Sequence, residues 1–213
     1  MRQALSAPHA ADPLARYPGT CARLPAAVAG RRIAAGEQHC WRLRVDGAPE
    51  DFAEGFAPPL PAGFLRREGD FVIRRGDGPF AYQLACAVDD AQTGVTHVLR
   101  GGDLLESGAR QDWLIRCLGL QPPNYLHIPL LRAEDGRRLS KRDGDDDLRG
   151  VCAAHGLDPL GVLSYLAWSL GTAGRGERVT PAQVAGRFEL RLLPREDWTL
   201  RGEDLAAFRQ QRA

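Results

Sequence analysis

Short apolar runs of strand spacing alternate along this chain with longer segments whose apolar residues recur every three or four positions. Residues 40–45 (Cys-Trp-Arg-Leu-Arg-Val) alternate apolar and polar side chains, which predicts a half-buried strand ending at the Asp46-Gly47 turn. A loop rich in Pro, Gly and Ala covers 48–63, and a second short strand follows over 70–74. Residues 75–79 (Arg-Gly-Asp-Gly-Pro) form a sharp turn into a helical pattern over 80–91. The next strand spans 95–99. A helix then starts with Asp103 as its cap, carries an apolar stripe over 113–118 and stops at Gly119. The apolar run 125–131 reads as a strand, and Asp135-Gly136 as the turn that separates it from the basic segment 137–144. Beyond it the spacing is helical over 148–155, 159–170 and 181–188, with Gly156, Gly171 and Gly174 as punctuation. At the other end, residues 2–5 read as the end of a helix broken by Ser6-Ala7-Pro8.

This order of elements predicts an α/β fold with a helical region after it. At 213 residues the chain can bury a proper core as one domain, or as one domain with a small appendage. Its 44% hydrophobic and 26% charged content is that of a folded globular protein. A net charge of +1 gives no overall pull toward nucleic acid, so any RNA contact has to come from local arginine groups: Arg66 and Arg67, Arg74 and Arg75, or Arg137, Arg138 and Arg142. Five cysteines at 21, 40, 86, 117 and 152 are odd in number and lack a C-x-x-C pair, which excludes a disulfide framework. Cys86 and Cys117 lie among apolar helical residues and are expected to be small core side chains. His39 and Cys40 are given no ligand role. No apolar run approaches the ~18 residues of a membrane span, and no signal-peptide core opens the chain, so a reducing cytoplasm is expected; a monomer is the separate expectation for its assembly.

Lys141 is the only lysine of the chain, every other basic residue being arginine or histidine. An ammonium is a compact point charge with three donors on a flexible stem, suited to a phosphate whose geometry changes during reaction, whereas guanidinium is a planar fork for a fixed partner. A loop just past a strand end is also where ligands sit in open α/β sheets. An ordinary polar turn is the alternative for an isolated five-residue match.

Two further side chains stand at comparable places. Tyr82 opens the helix over 80–91, where a phenol reads either as a half-buried helix residue or as a donor over a pocket. Arg100 ends the strand over 95–99 ahead of Gly101-Gly102, and reads either as a surface arginine or as a two-point grip on a carboxylate. Asp89 and Asp90 are adjacent and diverge on a helix, so capping or a structural hydrogen bond suits them better than a metal. The run Asp145-Asp146-Asp147 reads as solvated balance for nearby arginines or as the start of the next helix.

The run Leu139-Ser140-Lys141-Arg142-Asp143-Gly144 resembles the glutamyl form of the lysine-serine signature loop of class I aminoacyl-tRNA synthetases. The stretches Asp77-Gly78-Pro79-Phe80-Ala81-Tyr82-Gln83-Leu84-Ala85, Val88-Asp89-Asp90, Gly94-Val95-Thr96-His97-Val98-Leu99-Arg100-Gly101 and Asp103-Leu104-Leu105 resemble successive blocks of the same catalytic domain, in the family's order. The closest resemblance is to the glutamyl-queuosine tRNA(Asp) synthetase family, short relatives of glutamyl-tRNA synthetase without an anticodon-binding domain.

The resemblance implies the C-terminal part of a class I synthetase Rossmann-like catalytic domain followed by a small helical region. Residues 1–69 would be a remnant of a zinc-binding connective insertion, 70–147 the second half of the catalytic domain with its signature loop, and 148–213 a helical region contacting the tRNA stem. It implies ATP-dependent activation of L-glutamate and transfer to the queuosine base of tRNA(Asp). ATP and Mg2+ would be bound through Arg138, Leu139, Ser140, Lys141 and Arg142, with Lys141 catalytic, while Tyr82 and Arg100 would hold glutamate. Tyr17 and Cys21 match half of a four-ligand Zn2+ site, and Cys21 as a free thiol is the alternative reading. The other half, and a His-x-Gly-His type motif, would lie ahead of Met1, so the natural start is expected upstream or the gene damaged. A fragment of an ordinary glutamyl-tRNA synthetase charging tRNA(Glu), and a non-catalytic remnant that binds ATP or RNA, are the other readings.

Overall fold

A computed structural model describes residues 17–139 and 148–209. The chain divides into two compact units, Met1–Ile128 and Pro129–Ala213. The functional division expected at 69/70 and 147/148 cuts the chain elsewhere, because it follows the resemblance and the units follow packing. The helix end at 2–5, Ser140, Lys141, Arg142 and the carboxylates Asp145, Asp146 and Asp147 lie outside the described residues.

The first unit begins with α1 (Ala26–Ala34), a helix the sequence reading missed and one that buries no side chain. β1 (Trp41–Leu43) follows, then a long loop, α2 (Phe64–Glu68) and β2 (Phe71–Arg74). β1 and β2 pair antiparallel with a register shift between Trp41 and Arg42. Next come α3 (Tyr82–Gln92), β3 (His97–Gly101), a 3-10 turn (Gly102–Leu104), α4 (Leu105–Cys117) and β4 (Asn124–Ile128). β3 and β4 are parallel and in register from His97 opposite Asn124 to Gly101 opposite Ile128. Parallel neighbours need a long connection, and α4 supplies it. On the other side of β4, Glu54 makes a parallel bridge to Tyr125, drawing the 48–63 loop against the sheet.

Apolar burial holds this unit together, the non-directional term that dominates folding. Val45, Ala48, Leu65 and Ala109 form one buried cluster, and Ala87, Leu114 and Ile115 another between α3 and α4, with Phe71 packing on both. Two expectations are corrected here. Asp103 does not cap α4: it lies inside the 3-10 turn, and the N-cap is Leu104, with no side-chain cap. Cys117 is exposed rather than buried. Successive helix residues turn by about 100°, so Cys117 points roughly 200° away from fully buried Ile115.

The second unit opens with β5 (Leu131–Arg132). The run 125–131 is therefore two strands, not one: Pro129, which lacks an N–H, separates them, and the Leu130 N–H goes to Asp197 Oδ1 at 2.8 Å. The Asp135-Gly136 turn forms as its residues predict, with Gly136 at φ 84° and Ala133 N–H donating to Arg137 O at 3.0 Å. After the undescribed segment come α5 (Leu148–His155), α6 (Pro159–Ser169), α7 (Pro181–Arg187), β6 (Trp198–Thr199) and α8 (Gly202–Leu205). β6 pairs parallel with β5. Asp158 caps α6 by accepting from Gly161 N–H at 2.7 Å with Pro159 behind it, and Thr180 and Gln183 close a capping box on α7. Tyr165, Leu157, Leu205 and Phe208 form the core, flanked by Trp168 and Trp198.

Candidate functional site

Arg100 is the fourth residue of the five-residue strand β3, with Gly101 closing it. Alternation along β3 and β4 puts Val98, Arg100, Tyr125 and His127 on one inward face, while Leu99 is 57% exposed on the other. The guanidinium is aimed by two contacts: Nε donates to His127 Nε2 at 3.0 Å, and Nη2 donates to the Leu104 carbonyl at 3.3 Å. It also lies 5.5 Å from the centre of the Tyr125 ring. One edge of the fork is thus committed to the protein. The Nη1 end is the part suited to a ligand carboxylate, so a two-point grip here is end-on.

His127 and Glu54 complete this arrangement, and both escaped the sequence reading. The His127 Nδ1 and Glu54 Oε2 atoms are 2.5 Å apart, and the two side chains are 0% and 1% exposed. Glu54 Oε1 also accepts from the N–H groups of His127, Phe56 and Ala57 at 2.9, 2.9 and 3.0 Å. Burial alone would raise the Glu54 carboxyl, but these hydrogen bonds outweigh it and hold the group below the usual carboxylate value. Burial lowers His127, and the Arg100 charge adds to this against the pull of Glu54 and the smaller pull of the Leu104 backbone. The outcome is an ionised Glu54 beside a neutral imidazole. The sequence marks His127 only as a histidine within an apolar strand run, and Glu54 shares its loop with Glu50 and Asp51, so nothing local singles the pair out.

Tyr82 is the first residue of α3 and is 56% exposed, more open than a half-buried helix residue. A hydrogen bond with Cys86, one turn on, raises its phenol above the ordinary value, burial adds to this, and the Arg100 charge pulls the other way. Gln83 beside it donates to Ser107 Oγ at 2.9 Å, tying α3 to α4.

Tyr17 and Cys21 do come together: the Cys21 N–H donates to the Tyr17 hydroxyl at 2.7 Å, and the Arg42 guanidinium lies 4.3 Å from the Tyr17 ring centre. Among the described residues no group of three or more His, Cys, Asp or Glu is placed to hold a metal ion. A phenol and one thiol do not fit a closed zinc site, which takes four protein ligands. Arg138 pairs as an isolated antiparallel bridge with Arg132, and Leu139 follows it. Arginines named for RNA contact have local partners: Arg66 with Glu50, Arg67 with the Ala62 carbonyl, and Arg75 with Asp77. Asp89 and Asp90 act through their carbonyls, which accept from the Thr93 hydroxyl at 2.7 and 3.4 Å.

In open α/β sheets ligands bind outside the carboxyl ends of the strands, and Arg100 stands at that end of a parallel pair joined by a helix. Residues 2–205 match the model of the tRNA synthetases class I (E and Q) catalytic domain, and the chain belongs to that family. Among its relatives, it is 43% identical over 193 residues to a glutamyl-Q tRNA(Asp) synthetase of Symbiobacterium thermophilum, covering 90% of this chain and 58% of that protein. It is 42% identical over 200 residues to one of Nocardia farcinica, covering 94% of this chain and 61% of that protein. The chain thus spans about three fifths of the length of these relatives. A crystal structure of a glutamate tRNA ligase from Elizabethkingia meningosepticum, in complex with its amino acid, superposes with a TM-score of 0.67 at 21% identity. It covers 87% of this chain and 40% of that one. The glutamate-tRNA synthetase of Elizabethkingia anophelis gives 0.66 at 22% identity, over 87% and 41%.

Proposed function

We propose that this chain activates L-glutamate with ATP and Mg2+ and passes the glutamyl group to the queuosine base of tRNA(Asp). The observation that carries the reading is Arg100: a guanidinium at the carboxyl end of a parallel strand, fixed along one edge and open at the other, suits a carboxylate substrate. The names of the relatives at 42–43% identity supply the acceptor. Arg100 would hold one glutamate carboxylate and Tyr82 would donate to the bound amino acid. Lys141, with Arg138, Leu139, Ser140 and Arg142, would take the phosphates of ATP.

In the reaction the amino-acid carboxylate attacks the α-phosphate, pyrophosphate leaves, and the acyl group moves from the adenylate to the RNA. The protein supplies position and charge, with Lys141 stabilising the negative charge that builds on the phosphates. Residues 70–147 would carry this chemistry, 148–213 would meet the tRNA stem, and 1–69 would be the connective insertion. The protein would act as a cytoplasmic monomer. Zinc has no part in the proposal.

The test is incubation with ATP, Mg2+ and labelled glutamate against three RNAs: tRNA(Asp) with queuosine, tRNA(Asp) without it, and tRNA(Glu). Label in the first alone is expected. Label in tRNA(Glu) makes the chain an ordinary glutamyl-tRNA synthetase piece, and absence of adenylate in every arm makes it a non-catalytic binder.

A further inference from the structure

His127 reaches no substrate-facing surface, being 1% exposed, yet it holds Arg100, the side chain proposed to grip the glutamate carboxylate. The hydrogen-bond geometry fixes its protonation state. Arg100 Nε has only a proton to offer, so His127 Nε2 must present its lone pair. The imidazole proton therefore sits on Nδ1, where the ionised Glu54 Oε2 accepts it. Three groups from three parts of the first unit, the 48–63 loop, β4 and β3, form one directed chain: carboxylate, neutral imidazole, guanidinium.

We propose that Glu54 and His127 are positioning residues for Arg100, a buried relay that presents the open end of its fork to the substrate carboxylate only while His127 is neutral with its proton on Nδ1. The role in glutamate binding rests on the function proposed above; the tautomer does not.

An imidazolium has a proton on both nitrogens. It cannot accept from Arg100, and it sets a second positive charge against the guanidinium at hydrogen-bond distance. Arg100 would then lose its Nε anchor and keep only Leu104. The charged groups facing His127 are Glu54 from the loop and Arg100 from β3. Tyr125 on β4 stacks on the ring with centroids 6.1 Å apart, and burial raises its phenol far above the ordinary value, so it stays neutral. Asp112 on α4 and Asp90 on α3 act on that phenol, and α4 meets the His127 ring with Gly108. Free glutamate carboxylates titrate near pH 4, so a loss of binding between pH 7 and 5 belongs to the protein.

Glu54→Gln separates this role from simple packing. The glutamine oxygen can still accept from the three backbone N–H groups that Oε1 serves. Its amide nitrogen is a donor toward Nδ1, which forces the imidazole proton onto Nε2 and sets donor against donor at Arg100. His127→Gln does the opposite: its amide oxygen can accept from Arg100 and cannot be protonated in this range.

The experiment has two readouts on the intact chain. Nitrogen-15 NMR of the ligand-free protein at pH 8 reads the His127 tautomer and the Arg100 Nε–H resonance. The expected result is a protonated Nδ1, an unprotonated Nε2, a shifted and exchange-protected Arg100 Nε–H, and reversal of the tautomer in Glu54→Gln. Glutamate titration from pH 8 to 5 follows. Wild type should weaken as the pH falls below the ordinary histidine value of 6.5. Glu54→Gln should bind about tenfold or more weakly at pH 8 with ATP affinity unchanged, and His127→Gln should bind without a pH step. A proton on Nε2 in the wild type, or Glu54→Gln with unchanged glutamate affinity, overturns the proposal. Equal losses of glutamate affinity, ATP affinity and melting temperature in Glu54→Gln do so as well. Wild type that binds no glutamate at any pH overturns the proposed function instead, and the NMR readout still decides the relay.

Discussion

Arg100 and His127 occupy the same rung of the parallel β3–β4 pair, with Arg100 Nε 3.0 Å from His127 Nε2. Neighbours on one rung point to the same side of the sheet, so strand register alone delivers the guanidinium to the imidazole. The contact is held from behind by Glu54, which is 73 residues away from His127 in sequence.

Stability should follow the protonation of this pair. His127 is held below its ordinary 6.5, so the native state takes up its proton less readily than the unfolded chain. Its contribution is complete above that value and is lost as the pH falls through the window beneath it. Glu54 is held below its ordinary 4.5, and its contribution is lost as the pH falls further, from that value downward. Urea midpoints followed by the fluorescence of Trp113, whose indole N–H donates to Arg44 O in the same unit at 3.0 Å, should be flat from pH 8 to 7. They should fall in two steps below, and the first step should shrink in His127→Gln.

Gly108 is the point where α4 touches this relay. A Cβ there would stand 2.9 Å from His127 Cε1, 2.9 Å from Phe52 Cζ and 3.2 Å from Arg100 Nη2. Alanine gains up to about 1 kcal/mol of helix propensity over glycine, but overpacking a filled core costs roughly 1–3 kcal/mol. Gly108→Ala should therefore lose about 1 kcal/mol net, read by chemical denaturation. Because the ring and guanidinium must shift, glutamate KM should rise more than ATP KM.

Much of this was legible in local pattern. The helix at 148–155 has the ends that Gly156 and its apolar spacing imply, and those at 159–169 and 181–187 are set by Asp158-Pro159 and by Thr180-Pro181 with Gln183. Such signals lie within a few residues of what they control. Tyr82 and Arg100 were legible as helix-start and strand-end positions by the same logic, although their binding roles rest on the family. Glu54 and His127 were not, because their meeting depends on how a loop packs on a strand, which spacing along the chain does not encode. Asp103 misled because a 3-10 turn took the place of the helix start, and Cys117 because an apolar stretch of sequence is wider than the buried face of one helix.

In the second unit the corresponding tight place is Gly161. Its Cβ would meet the Phe208 carbonyl at 2.7 Å and Asp158 Oδ1 at 3.1 Å. That carbonyl accepts from Arg178 Nη1 at 2.8 Å, and Arg178 Nη2 holds Asp158 at 2.6 Å, so both oxygens are tied in place by Arg178. Backbone cannot rotate away as a side-chain end can, and Gly161→Ala should cost about 2 kcal/mol or more. The check is thermal unfolding followed through Trp168 and Trp198, which pack edge to face at 4.9 Å.

Lys141 supplies the last prediction through its solitude. With no other lysine in the chain, reductive methylation with carbon-13 formaldehyde labels one side-chain amine besides the N-terminus, and it keeps the positive charge. If this ammonium meets the phosphates of the nucleotide, ATP with Mg2+ should shift the dimethyl-lysine resonance and AMP, which lacks the β- and γ-phosphates, should shift it much less. Lys141→Ala should remove the charge that offsets the pyrophosphate leaving group. Losing one well-placed electrostatic donor costs about 10²–10³ in kcat, so adenylate formation should fall by that order while glutamate affinity stays with Arg100. Equal responses of the resonance to ATP and AMP, or adenylate formation untouched by the alanine, would remove Lys141 from the reaction.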